Sequence, residues 1–125
     1  MKSEEAKLWL DFAERDLRRA RNNSGMGDYD LAAYLLQQSC EKSLKAVLIK
    51  YGRTPPRTHN IRTLIGEITE VVDFPEYLID AVKLSRYAFE VRYPDDYVPV
   101  SEEEYREAYD IALKVYEWAR GVVRN

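Results

Sequence analysis

Residues 3–22 read SEEAKLWLDFAERDLRRARN, and the spacing of the apolar residues in this stretch decides the fold class. Ala6, Leu10, Ala13, Leu17 and Ala20 recur at intervals of four and three, with Trp9 and Phe12 widening the stripe. Side chains at such intervals share one face of a helix with 3.6 residues per turn, so the stretch predicts an amphipathic helix over 3–22. Ser24-Gly25-Met26-Gly27-Asp28 then breaks the pattern. A second helix is predicted over about 29–51, with Leu36, Cys40, Leu44, Val47, Leu48 and Tyr51 on its core face and Gly52 as its C-terminal cap. Thr54-Pro55-Pro56 forces a loop, and a short helix follows from about Asn60 to Val72, burying Ile61, Leu64, Ile65 and Ile68. Pro75 can open the next helix, on which Tyr77, Ala81, Leu84 and Ala88 have core spacing. It must stop before Pro94, because proline disfavours helical geometry in the residue before it. Residues 92–100 read as a loop. Ser101 with Glu104 three residues on is a capping box, which starts a last helix along Tyr105, Ala108, Ile111 or Ala112, Val115, Ala119 and Val122. No stretch alternates apolar and polar residues, so no sheet is expected. The fold class is all-α: one domain over residues 1–125, an up-and-down bundle of four to five helices.

The composition excludes several classes of protein. With 46% hydrophobic and 33% charged residues among 125, the chain is too apolar for disorder and too often interrupted by charge for a membrane span. The N-terminus lacks the apolar region of a secretory signal, so a cytoplasmic location is expected. The single cysteine, Cys40, lies in an apolar helical pattern and is expected to be a buried thiol. No metal site is expected, because one histidine and one cysteine fall short of the usual zinc ligands and no Glu-x-x-His pair is present. No phosphate loop, nucleophile elbow or other cofactor motif appears, so no cofactor is expected.

Charge is unevenly distributed. Lys42 to Gly66 contains Lys42, Lys45, Lys50, Arg53, Arg57, Arg62 and His59 but no acid, in a chain of net charge −3. From Glu67 to Asp110 thirteen acids face four bases. Such a pattern points to an anionic ligand or a self-complementary partner, or else to no more than solvated helix faces. Within the cationic segment His59 stands between Arg57 and Arg62, just before a helix start, where backbone N–H groups favour anions; a hydrogen-bonding turn residue is the plainer reading. Gln37, Glu41 and Lys45 stand four apart on the second helix and either line a groove or form a surface ion pair. In Arg92-Tyr93-Pro94-Asp95-Asp96-Tyr97, Arg92 can fork onto a phosphate, unless Asp95 and Asp96 neutralise it.

Taken in order, these pieces resemble the HEPN family. The resemblance rests on Ala6, Trp9, Leu10, Ala13, Asp16, Leu17 and Ala20; on Gln37, Gln38, Glu41, Lys42, Leu44, Lys45 and Ala46 before Gly52; on Thr58-His59-Asn60 with Leu64; and on Arg92-Tyr93-Pro94. It implies a bundle of four or five helices, frequent dimerisation, frequent pairing with a separately encoded minimal nucleotidyltransferase, and in many members a toxin or defence role. Ribonuclease members have an arginine and, after four to six intervening residues, a histidine. Here Tyr97, Val98 and Pro99 occupy the corresponding positions after Arg92, so the histidine is missing. The expectation is therefore a binding module and not an enzyme: a homodimer that binds a nucleotide or a nucleotidyltransferase partner. Arg92 would contact phosphate, His59 and Arg57 would supplement it, Gln37, Glu41 and Lys45 would shape the groove, and Tyr93 would stack on a base. The alternatives are an RNA-cleaving toxin with a non-standard site, or a structural dimerisation domain joined through the tyrosines between Tyr87 and Tyr109.

Overall fold

The computed structural model describes residues 2–88 and 98–124. Helix α1 spans Lys2–Gly25, α2 Tyr29–Lys50 and α3 Ile61–Ile68; a 3-10 helix covers Glu76–Tyr87, and α4 spans Glu102–Arg124. No strand occurs among the described residues. Arg92, Tyr93 and most of the expected loop at 92–100 lie outside them.

Helices α1 and α2 are joined by a tight turn through Gly27, whose φ of 77° is the left-handed conformation that glycine adopts without steric cost. Asp28 then caps α2 by accepting a bond from the Leu31 amide. On α1, the fully buried Ala6, Ala13 and Ala20 alternate with Leu10 and Leu17. Alanine at every seventh position keeps the two backbones close, so that Ser39 on α2 donates from Oγ to the Ala13 carbonyl at 2.8 Å. A second tie is ionic: Lys42 Nζ lies 2.6 Å from Oδ2 of the buried Asp16. Helix α4 packs Ala108, Ala112, Val115, Ala119 and Val123 against this pair, and its Tyr116 donates to Glu14 Oε2 at 3.0 Å. Every other element touches α2. Consequently buried residues occur all around it, Gln37, Ser39, Glu41 and Ser43 among them.

The C-terminus of α2 ends as a Schellman motif. Gly52, φ 78°, donates to the Ile49 carbonyl and Arg53 to the Leu48 carbonyl, each at 2.9 Å. Tyr51, expected in the core, is 44% exposed instead. It is the C-cap residue, one position past the last residue of α2 and so beyond the regular helical stripe.

The third helix is shorter than expected, ending at Ile68, with turns continuing to Val72. A larger correction concerns the next element. The spacing predicts an α-helical stripe of Tyr77, Ala81, Leu84 and Ala88, but the buried residues are Leu78, Ala81, Leu84 and Tyr87, while Tyr77 is 41% exposed. A 3-10 helix turns once every three residues, so side chains three apart stack on one face. Last, Ser101 and Glu104 form the predicted capping box: the Glu104 amide donates to Ser101 Oγ at 3.0 Å and the Ser101 amide to Glu104 Oε1 at 3.1 Å.

Candidate functional site

The connection between α2 and α3, residues 51–60, is anchored at both ends. Near its start Arg53 pairs with Glu67 at 3.3 Å and Glu70 at 3.8 Å. Near its end the Asn60 amide donates to Thr58 Oγ1, and the Asn60 side chain caps α3 by accepting from the Thr63 amide. These ties hold His59 directly over the middle of α2.

There the imidazole meets a buried carboxylate. His59 Nδ1 is 2.9 Å from Glu41 Oε1 and 3.2 Å from Oε2, although the histidine side chain is 66% exposed and that of Glu41 only 3%. Gln37, fully buried one turn earlier, places Nε2 at 2.8 Å from Glu41 Oε1 and 3.2 Å from the His59 carbonyl. Both neighbours are acceptors, so the amide must present its NH2 end to them. Its carbonyl end then accepts from Gln38 Nε2 at 2.9 Å. Lys45 completes the cluster: Nζ lies 3.7 Å from Glu41 Oε2 and 5.8 Å from the centre of the Trp9 ring. An ion pair this buried is stabilising only when hydrogen bonds also satisfy the carboxylate, as they do here.

In front of the cluster lies a groove of about 680 Å³. One wall is the connection and the start of α3, with Arg57, His59, Asn60 and Arg62; the other is the 3-10 helix, with Val82, Ser85 and Ala88 beyond it. No acid lines it among the described residues. Ser85 Oγ is buried and has no hydrogen-bond partner among the described residues.

Arg57 and His59 therefore share one groove. Gln37 and Glu41 stand behind it, buried, and reach it only through His59, while Lys45 is on the far side of Glu41 beside Trp9. The reading of Glu41 and Lys45 as a solvent-exposed pair is excluded by the burial of the carboxylate. Ser85 is not legible as a groove residue in the sequence, since its placement depends on the 3-10 register. Asp16 has a local signal, an acid inside the apolar stripe of α1, but its partner lies 26 residues away. Cys40 is fully buried, and burial, then the neighbouring Glu41 charge, push its thiol well above the ordinary range. Tyr87 and Tyr105 are buried in their own core, and Tyr105 contacts the rings of Tyr29 and Tyr109. No helix among the described residues is long and apolar enough to cross a membrane.

The HEPN domain family model matches residues 6–122. Among solved structures, the chain is similar to TT1696 from Thermus thermophilus, with 34% identity and a TM-score of 0.81 over 94% of this chain and 97% of that one. It is also similar to ST0689, an archaeal HEPN homologue, with 30% identity and a TM-score of 0.76 over 94% of this chain and 97% of that one. No curated protein matches the chain. The chain belongs to the HEPN family.

Proposed function

We propose that this HEPN chain is a binding module, not an enzyme, whose groove holds a phosphate-bearing nucleotide. The observation that supports this reading is the groove itself: its lining carries Arg57 and Arg62 with His59 and no acid among the described residues, the one nearby carboxylate, Glu41, being buried behind the imidazole, in a chain of net charge −3. Its volume of about 680 Å³ falls within the usual range for small-molecule sites. In this reading the guanidinium groups hold the phosphate, and Val82 and Ala88 offer an apolar wall to the base. Gln37, Glu41 and Lys45 act indirectly, by fixing His59. Arg92 adds a fork to the phosphate and Tyr93 a stacking surface. The module works as a homodimer and alongside a minimal nucleotidyltransferase, as the family resemblance implies.

Calorimetric titration with adenine and guanine nucleotides tests the central claim. Arg57→Ala, Arg62→Ala and Arg92→Ala are each expected to weaken binding by about 1.5–3 kcal/mol, the range for hydrogen bonds to charged groups. Equal affinities for Arg92→Ala and the parent chain would remove Arg92 from the site. Incubation with structured and single-stranded RNA should show no cleavage; robust cleavage lost in Arg92→Ala would overturn the non-enzymatic reading. Light scattering that returns a mass near 14.7 kDa would rule out the dimer.

A further inference from the structure

The chemistry around His59 specifies more than an anion site. Gln37 Nε2 faces two acceptors, Glu41 Oε1 and the His59 carbonyl, and can satisfy both only as a donor. Glu41 is thereby an acceptor, with the Lys45 ammonium beside its other oxygen. An imidazole nitrogen within hydrogen-bond reach of both carboxylate oxygens must then carry the proton, which places it on Nδ1. A neutral imidazole has only one N–H, so Nε2 is left with its lone pair. Nε2 has no partner among the described residues, and the ring lines the groove.

We propose that Glu41 is a positioning residue that locks His59 in the Nδ1–H tautomer, making the groove selective for phosphorylated sugars that bring a free hydroxyl to Nε2. The inference rests on the anion-binding reading above and extends it. Arg57 and Arg62 would pair with the phosphoryl dianion of a phosphate monoester, whose terminal oxygens all accept, so Nε2, itself an acceptor, must find its donor elsewhere on the ligand. A sugar phosphate supplies one, because the carbon skeleton next to the phosphate bears O–H donors.

Long-range proton–nitrogen correlation spectra of the full chain test the tautomer directly, recorded where the nitrogen shifts show the ring to be neutral. The expected spectrum has Nδ1 protonated and Nε2 bare; a proton on Nε2 overturns the proposal without any variant being made. Glu41→Ala, its fold checked by circular dichroism, should move the ring toward the Nε2–H form, and unchanged nitrogen shifts would remove Glu41 from the role. The ligand half is read by calorimetry with AMP and 2′,3′-dideoxy-AMP, which differ only in ribose hydroxyls. AMP should bind about three- to tenfold tighter, the net effect of one hydrogen bond. Equal affinities overturn the hydroxyl preference while leaving the nucleotide reading intact. Failure of both to bind removes the nucleotide reading and the preference with it, whereas the tautomer result is decided independently.

Discussion

Replacing Lys42 with methionine should be among the most damaging single changes available on the partly exposed face of this bundle. The substitution keeps the length of the aliphatic stem and removes only the ammonium. What it leaves behind is Asp16, whose side chain is 4% exposed and whose Oδ2 had that ammonium at 2.6 Å. Orphaning one member of a buried pair costs about 3–5 kcal/mol. Lys42 itself is 26% exposed, so water can approach the vacated position and soften the loss, which places the expected cost at about 2–3 kcal/mol. In a domain of this size that corresponds to a fall in Tm of about 10 °C. Urea titration monitored by circular dichroism measures it, with Arg106→Met as control: Arg106 and Glu102 are 2.9 Å apart but 73% and 57% exposed, so that loss should stay under about 0.5 kcal/mol. Asp16→Leu combined with Lys42→Met should recover most of the stability, because no buried charge then lacks a partner. If Lys42→Met costs no more than the control, the Asp16 carboxylate is not held by this pair and the reasoning fails.

The register of the 3-10 helix predicts that Leu78→Ala costs about 2–4 kcal/mol by leaving a cavity, whereas Tyr77→Ala, which loses only an exposed ring near Lys114, costs under about 1 kcal/mol in the same urea assay. Cys40 should be inert to a thiol reagent in the native protein at pH 8 and react fully once guanidinium unfolds it, because burial raises its thiol above the ordinary range; rapid native labelling would contradict the packing of α2. The Tyr116 phenol is raised above 10.0 by burial and then by its bond to Glu14, which favours the protonated form in the fold. Its contribution is therefore complete below pH 10 and lost as pH rises beyond it, so Tyr116→Phe should show a shallower loss of stability above pH 10 than the parent chain.

Patterns that depend on near neighbours could be read from the chain directly. The α1 stripe, the Gly52 cap and the Ser101–Glu104 box each involve residues within a few positions of one another, and each stands in the structure where the spacing placed it. Tyr77 and Tyr51 went astray for geometric reasons. A period of three cannot be told from 3.6 over so short a segment, and apolar spacing does not fix the residue at which a helix ends. Arg57 and His59 share a groove because they are two residues apart, but the depth at which Gln37 and Glu41 lie depends on α2 being enclosed by the other elements. That enclosure is a property of the assembled bundle, so a polar stripe that looks solvated in sequence becomes the support beneath a surface histidine.

The bonds from Gln37 and Glu41 to His59 also have a thermodynamic consequence for the way the protein opens and closes. The connection between α2 and α3 cannot swing away without leaving a buried amide and a buried carboxylate short of partners at the centre of the most enclosed helix. Opening of that surface segment is thus linked to the least labile part of the domain, and its amides should exchange with solvent far more slowly than those of an ordinary loop. By the same linkage, anything that grips His59 from outside raises the free energy of global unfolding and not merely that of local opening, so occupancy of the groove would register as a shift in the melting temperature of the whole chain.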